Sequence, residues 1–205
     1  MKLLDRLVQI RPYLYHLTAR MNVPAIREKG VLESAERLLE AGRRMDLVRE
    51  RRAQSVVVTI DERSVHIRDQ TPLYEKNCEF GEGWCFTDLI AELNHHVFFW
   101  PGTDRGASEY GRRHFARYAG DDVVVLRAPT ADVFRLNPEP RLCRYNSGSP
   151  RWSGGKPSPR GRDLFVAAGK FGGTASEVVE VVFGDGVQLP NTTEILTVHG
   201  KVPLV

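Results

Sequence analysis

The sequence predicts an α+β fold in which strands outnumber helices and neighbouring strands run antiparallel. Two kinds of segment support this prediction. Runs rich in β-branched residues, at positions 55–61, 123–128 and 177–183, are typical of buried strands. Shorter stretches with apolar residues three and four apart, beginning with residues 1–9, are typical of amphipathic helices. With 205 residues, the chain is long enough to bury a core as one domain, predicted to span residues 1–205.

Composition narrows the class of protein. The formal net charge is only +3, and the three cysteines, Cys78, Cys85 and Cys143, lack the spacing of a zinc knuckle or a disulfide framework. Reduced thiols are therefore expected, which favours a cytoplasmic protein. Charged residues interrupt the apolar N-terminal stretch, and no uninterrupted apolar window approaches the ~18 residues of a membrane span. We therefore expect neither a signal peptide nor a membrane partner.

The most informative stretch is residues 13–32, YLYHLTARMNVPAIREKGVL. It reads as a strand over 13–17, at whose end His16 and Thr18 share one face, because strand side chains alternate. Asn22 then precedes a Val-Pro dipeptide, and Pro24 suits the first turn of a helix. Gly30 is a plausible C-terminal cap. A polar pair at the end of a strand, followed by a helix start, is a common place for a small anionic ligand.

The middle of the chain alternates helix and strand. We expect a charged helix over 33–53, broken near Gly42, then strands at 55–61 and 65–68, a helix over 84–93 and a strand over 95–100. A helix over 104–118, a strand at 123–128 and a short strand or edge segment over 132–138 follow. His95 and His96 are adjacent and so face opposite sides of a strand, and no third ligand has suitable spacing. No metal site is predicted.

Arg68 alternates with Val65 and Ile67, so its side chain points away from the apolar side of its strand. A guanidinium there can grip phosphate oxygens with paired hydrogen bonds. It can equally form an ion pair with Glu62 or Asp69, and position alone does not decide between the two.

Residues 141–173 change in character. Between positions 141 and 170 lie seven basic residues and one acidic residue, Asp163, together with many serines, glycines and prolines. We predict a long, partly mobile surface loop. Basic side chains with interspersed aromatic rings suit single-stranded nucleic acid, whereas the alternative is a flexible connector. The candidate substrate-binding residues are Arg144, Tyr145, Trp152, Arg160 and Arg162.

The segment that follows this loop, residues 174–183, is predicted to be a strand carrying Glu177 and Glu180. These carboxylates are three residues apart and so face opposite sides. Glu177 lies where the strand begins, directly after the basic loop. Glu180 lies in mid-strand, where a solvated sheet face or a salt bridge explains it.

Three motifs carry a family resemblance. The run His16-x-Thr18-x-x-x-Asn22-x-x-x-Ile26-x-x-x-Gly30 resembles the opening motif of DarT-type ADP-ribosyltransferases. Arg68-x-x-x-Pro-Leu-Tyr resembles the segment that carries their catalytic arginine, and Ser176-Glu177-Val-Val the segment that carries their catalytic glutamate. The resemblance implies an ADP-ribosyltransferase-like fold, with two packed, mostly antiparallel small sheets and flanking helices around an NAD cleft. It implies NAD as the ADP-ribose donor, with Arg68 and Glu177 catalytic and with cofactor contacts from His16, Thr18, Asn22 and Arg68.

The resemblance also implies a reaction. In it, Glu177 would stabilise positive charge on the ribose as nicotinamide leaves and take a proton from the acceptor. The acceptor would be a base in single-stranded nucleic acid, with DNA favoured over RNA. Such an enzyme would act as a toxin or in defence, with an antitoxin or an ADP-ribosyl hydrolase as partner. The alternatives are a tRNA 2′-phosphotransferase-like NAD enzyme and a catalytically silent nucleic-acid-binding module in which Glu177 is structural.

Overall fold

The computed structural model describes residues 2–197 and 200–203, which contain six α-helices and fifteen short strands. The predicted α+β class is confirmed at this level. The helices are α1 (Leu3–Ile10), α2 (Val23–Lys29), α3 (Ala35–Ala41), α4 (Phe86–His95), α5 (Glu109–Arg117) and α6 (Thr130–Leu136). The strands are β1 (Tyr13–Ala19), β2 (Val31–Glu33), β3 (Val56–Ile60), β4 (Arg63–Ile67), β5 (Cys78–Phe80), β6 (His96–Thr103), β7 (Gly106–Ala107), β8 (Val123–Pro129), β9 (Arg141–Cys143), β10 (Ser158–Arg160), β11 (Val166–Ala167), β12 (Glu180–Gly184), β13 (Gly186–Gln188), β14 (Glu194–Thr197) and β15 (Gly200–Pro203).

Nine of the described strands form the central sheet, in the order β11-β9-β12-β6-β1-β8-β14-β15, with β7 added to β6. Every pair within it is antiparallel. Three two-stranded pairs lie outside it: the β3–β4 hairpin, the antiparallel pair β2–β13 and the parallel pair β5–β10. The apolar and β-branched residues within 195–200 also predict a closing strand. This strand falls in β14 as far as Thr197, and residues 198–199 lie outside the described residues.

The central sheet is forked between β1 and β6. These strands pair only where Tyr13–Tyr15 lies against Trp100–Gly102. Beyond Tyr15, β1 continues against β8 as far as Ala19, whereas β6 pairs with β12 along residues 96–99. The two limbs therefore separate, and the space that opens between them contains the site described below.

The local signals around α2 act as predicted. Pro24 occupies the first turn of the helix, and Gly30 ends it with φ at 65°, a left-handed conformation that glycine adopts without steric cost. The helix therefore stops after two turns, and the chain turns directly into β2.

The predicted helix over 33–53 is shorter than expected. It begins after Ser34, whose Oγ accepts the Arg37 N–H at 3.3 Å, and it breaks at Gly42 as predicted. A Cβ atom at Gly42 would lie 2.5 Å from the Cβ of Val58. The break therefore lets the chain pass close to the β3–β4 hairpin, and residues 45–47 form a separate 3₁₀ turn.

The predictions for residues 132–138 and 141–173 were wrong. Residues 130–136 form α6 instead of a strand, and its first residue, Thr130, donates its hydroxyl to the Arg11 carbonyl at 2.6 Å. Residues 141–173 are not a long irregular surface loop. They contain β9, β10 and β11, and the buried Leu142, Leu164 and Phe165 pack this segment into the molecule.

The core has several apolar clusters on the two limbs of the sheet. The largest packs α1, α2 and α6 against β1, β6, β8 and β12. A second packs α4 against Leu164 and Phe165, and a third packs α3 against the β3–β4 hairpin. In the part of the chain that the structure describes, none of the helices has the length and apolar character needed to cross a bilayer.

Candidate functional site

A cavity of about 340 Å³ opens at the fork of the central sheet. This volume lies within the usual range for small-molecule sites. Its walls come from β1, α2, the β3–β4 hairpin, β6 and the segment after β9. The polar side chains that matter most for its chemistry are His16, Thr18, Asn22, Arg52, Arg68 and Glu180.

His16 bridges the two limbs where they separate. Its Nδ1 lies 2.8 Å from the carbonyl oxygen of Phe98, on β6. Because a carbonyl can only accept, Nδ1 carries the proton, and Nε2 keeps its lone pair. Burial and, to a smaller extent, the positive charge of Arg68 lower the pKa of His16 to about 4, although the hydrogen bond to Phe98 acts in the opposite direction. His16 is therefore neutral at pH 7 and can accept one hydrogen bond.

Thr18 and Asn22 are both buried, and the Asn22 side chain links neighbouring elements by hydrogen bonds. Its Oδ1 accepts the His66 N–H at 2.8 Å, and its Nδ2 donates to the His66 carbonyl at 2.9 Å and to Thr18 Oγ1 at 3.2 Å. The side chain therefore fastens β1 and α2 to β4. The predicted cofactor residue Asn22 lines the cavity, but its amide holds the hairpin that carries Arg68.

Arg68 follows β4 and projects its guanidinium among neutral groups. Its Nη1 lies 2.9 Å from His114 Nε2, and its Cζ lies 4.9 Å from the centre of the Tyr118 ring. Burial holds the pKa of His114 far below its usual range, and the charge of Arg68 adds to that, so His114 accepts this bond as a neutral ring. Within the described residues, no carboxylate oxygen lies within 4.0 Å of the Arg68 guanidinium. A guanidinium in this setting is available to an anion.

Arg52 is a second cation in the same wall and is only 5% exposed. Its Nη1 donates to Asn94 Oδ1 at 2.9 Å, and its Nε donates to the Arg68 carbonyl at 3.1 Å. Burial lowers the pKa of Arg52 to about 10, so it remains charged at neutral pH. The described residues give it no ion pair either, although acidic side chains also line the cavity, among them Asp69, whose charge acts on both arginines.

Glu180, the first residue of β12, is 1% exposed and lines the cavity. Burial raises the pKa of this carboxyl to about 7, although hydrogen bonds from Ser147 and the charge of Arg160 act in the opposite direction. The Ser147 N–H lies 3.3 and 3.2 Å from its two oxygens. The expectation of a solvated or simply ion-paired glutamate was wrong, because β12 lies inside the sheet between β9 and β6.

The loop that holds Glu180 is itself held by Arg160. This side chain is buried and donates to the carbonyl oxygens of Asn146 and Ser147 at 3.1 to 3.4 Å. It also donates to Ser158 Oγ at 2.6 Å. Arg160, predicted to bind substrate, therefore has its donors committed to fixing the loop behind Glu180.

Glu177 lies outside the cavity. It is exposed in a 3₁₀ turn, residues 175–177, instead of in a strand, and its Oε2 accepts from the Thr174 N–H at 2.8 Å and the Thr174 hydroxyl at 2.9 Å. These bonds, with the charge of Arg144, lower the pKa of Glu177. The structure thus brings His16, Thr18, Asn22 and Arg68 to one cavity as predicted, and the lining of that cavity includes Glu180 but not Glu177.

The remaining predicted substrate residues divide into two groups. Arg144 and Tyr145 lie with Arg160 around a second, smaller cavity beside the first. Trp152 is 57% exposed and donates its Nε1–H to the Lys76 carbonyl at 3.1 Å, and Arg162 is exposed. Neither of these last two lines either cavity.

Three buried polar atoms in the cavity wall have no partner among the described residues: Trp100 Nε1, His66 Nδ1 and Ser147 Oγ. A buried polar group without a hydrogen bond is costly. All three atoms are almost completely covered by protein, so they do not face the open space of the cavity.

Away from the cavity, Glu36, His95 and Asp185 place three potential metal-ligating atoms within 4.8 Å of one another. His95 Nδ1 lies 2.7 Å from Glu36 Oε2 and 3.6 Å from an Asp185 oxygen. A hydrogen bond between His95 and Glu36, with Asp185 beside it, accounts for this geometry.

Reasoning from sequence missed Arg52, His114, Ser147 and Glu180. His114 stacks on Trp100, with ring centres 4.4 Å apart, and its position on the apolar stripe of α5 is the one sequence signal for burial. Arg52 is one of six arginines in a charged run, and nothing in that run marks it as buried.

Comparison with curated proteins and with solved structures gives no match for this chain. A family model does match, over residues 12–198, which include every residue that we assign to the cavity. The chain belongs to the DUF7002 family, a family of unknown function.

Proposed function

We propose that this protein is an NAD-dependent ADP-ribosyltransferase whose acceptor is single-stranded nucleic acid, with a DNA base favoured. One observation carries the proposal. The fork cavity combines one buried and one half-buried guanidinium, neither ion-paired in the described structure, a neutral histidine and a buried carboxyl whose pKa is about 7. ADP-ribosyl transfer requires positive charge that binds the pyrophosphate and a hydrogen-bond acceptor for a ribose hydroxyl. It also requires a general base whose pKa lies near the working pH.

The residues of the cavity fit NAD by their chemistry. Arg68 and Arg52 would hold the pyrophosphate, and His16 Nε2 would accept from a ribose hydroxyl. The motif resemblance around His16 and Arg68 points to the same cofactor.

Glu180 takes the role that the resemblance gave to Glu177. Bound NAD supplies a ribose carbon whose bond to nicotinamide breaks with the electron pair leaving on nicotinamide, while a bond to the acceptor forms. The Glu180 carboxylate would stabilise the positive charge that develops there and would receive the proton that the acceptor loses. With a pKa of about 7, a substantial fraction of Glu180 is ionised at neutral pH while remaining a useful base.

The biological part of the proposal is a toxin or defence role, with a partner protein that blocks or reverses the modification. This part rests on the motif resemblance.

The test compares two matched substitutions in one segment, Glu180→Gln and Glu177→Gln. Each protein is incubated with NAD and a single-stranded DNA oligonucleotide, and mass spectrometry follows the gain of one ADP-ribose. Glu180→Gln should slow the reaction by roughly 10²–10⁴-fold, the usual cost of losing a general acid–base group. Glu177→Gln should leave the rate within about twofold, because surface carboxylates of this kind contribute little.

Full activity of Glu180→Gln would refute the catalytic assignment. If the wild-type protein neither binds NAD nor releases nicotinamide from it, with DNA or RNA present, the proposed reaction is wrong.

A further inference from the structure

Next to the fork cavity lies a second cavity of about 260 Å³ whose wall is rich in arginine. We call it the arginine groove and define it by Arg113, Arg117, Arg144, Arg151 and Arg160. No aspartate or glutamate among the described residues lines it. With a net charge of only +3 for the whole chain, this is a local concentration of positive charge that the overall composition hides.

The groove has two walls from distant parts of the sequence. Helix α5 contributes Arg113 and Arg117, and the segment that follows β9 contributes Arg144 and Arg151. All four are exposed. Only Arg113 among them has an ion pair in the described part of the chain, an exposed one with Glu109. These guanidinium groups are therefore available to a ligand from both sides.

Two aromatic rings lie among the arginines. Tyr110 on α5 is 44% exposed, and Tyr145 is half-buried with the Arg160 guanidinium 5.4 Å from its ring centre. Exposed aromatic faces between cationic side chains suit a chain of bases joined by phosphates, because bases stack and phosphates pair with guanidinium.

The groove and the fork cavity share part of their walls. His114, Asn146 and Ser149 line both. His114 is also the partner of Arg68, and Asn146 belongs to the loop that Arg160 holds behind Glu180. A molecule seated in the groove therefore contacts residues that also line the cavity in which Glu180 lies.

We infer that the arginine groove is the acceptor site and that it binds the sugar–phosphate backbone of a single-stranded nucleic acid. This inference rests on the proposed function, and it changes which residues carry substrate binding. Trp152 and Arg162 lie outside the groove, whereas Arg113, Arg117 and Tyr110 of α5 lie within it. The four exposed arginines would hold successive phosphates, and one unstacked base would turn toward His114 and the cavity.

The experiment measures binding without NAD, so that it is independent of catalysis. Fluorescence anisotropy follows a labelled single-stranded DNA of about a dozen nucleotides over a range of salt concentrations. The test variant is Arg117→Ala with Arg151→Ala, one residue from each wall, both exposed and neither ion-paired in the described structure. The control is Arg6→Ala with Arg135→Ala, which removes the same charge from α1 and α6, outside both cavities.

The test variant should bind about tenfold or more weakly, and its slope of log affinity against log salt should be shallower by about 1.4, for two lost phosphate contacts. The control variant should keep the wild-type slope and bind within about twofold of it. Equal weakening of both variants would overturn the groove assignment, as would no weakening of either. Duplex DNA binding as tightly as the single strand, or poly-glutamate competing as well as an unlabelled oligonucleotide, would also overturn the nucleic-acid assignment.

Calorimetric titration of NAD tests the proposed reaction independently of the groove assignment. Arg117→Ala with Arg151→Ala should bind NAD as the wild type does. If the wild type binds the oligonucleotide through these arginines but does not bind NAD, the groove assignment is supported and the proposed reaction is refuted.

Discussion

The fork cavity and the arginine groove share His114 but present positive charge in opposite ways. In the cavity, Arg52 and Arg68 are held by neutral partners in a wall that also contains a buried carboxyl. In the groove, arginines such as Arg117 are exposed and can move. Charges in a buried site interact strongly and are weakly screened, whereas exposed charges are screened by salt. The cavity suits one small anion in a fixed geometry, and the groove suits a long polyanion in many positions.

The largest expected effect is on the pH dependence of stability, and it comes from Glu180, the buried carboxyl of the fork cavity. The pKa of Glu180 is about 7 in the folded protein, against roughly 4.3 when unfolded. The unfolded chain therefore loses this proton at lower pH than the folded chain, and the contribution to stability falls as pH rises from about 4 to about 7. Glu180→Gln removes this pH-dependent loss of stability. The unfolding free energy of the variant, relative to that of the wild type, should therefore rise by roughly 3 kcal/mol between pH 4 and pH 8.

Urea denaturation at several pH values measures this difference, and contributions from unchanged histidines such as His16 cancel between the two proteins. The matched variant Glu177→Gln should show no such gain, because that carboxylate is exposed and its pKa is lowered. A pH-independent difference between wild type and Glu180→Gln would mean that Glu180 is not buried as described.

A smaller effect tests whether the cavity walls are fixed. Asn22→Ala removes three hydrogen bonds and leaves both backbone groups of His66 without their side-chain partner. The expected cost is about 2 kcal/mol of unfolding free energy, measured by urea denaturation at pH 7. Asn191→Ala, at an exposed position, is the control and should change stability by less than about 0.5 kcal/mol. If Asn22→Ala is as stable as the control, the Asn22 hydrogen bonds do not hold α2 to the hairpin.

The sequence predicted the parts of the fork cavity that local chemistry determines. Pro24 and Gly30 specify where α2 begins and ends, and strand alternation places His16 and Thr18 together. The break at Gly42 was also predicted, because glycine in a charged helical pattern is itself a local signal. From its position in the sequence, Arg68 could either bind an anionic ligand or form an ion pair within the protein. It has no ion pair in the described structure, which favours the binding of an anion.

The rest depends on contacts between distant segments. Glu180 begins a strand that neighbours cover on both sides, and one strand read alone does not reveal its position in a sheet. Glu177 resembles a strand residue in sequence, yet its bonds to Thr174 form a local turn that competes with the strand. Arg52 is buried because Asn94, forty-two positions away, accepts its hydrogen bond. The α5 wall of the groove was missed because Arg113 and Arg117, four positions apart on a helix, look in the sequence like ordinary arginines on an exposed helix face.

The account depends most on Arg68 being free for the phosphates of NAD. Titration calorimetry of NAD into the wild type, Arg68→Gln and the exposed control Arg49→Gln tests this directly. We expect wild type and control to bind alike, and Arg68→Gln to bind roughly 10–100-fold more weakly, the cost of a charged hydrogen bond. Its stability without NAD should stay within about 1 kcal/mol, because the guanidinium lacks an ion pair in the described structure. Equal NAD affinity in all three proteins, or no binding to the wild type, would contradict the account.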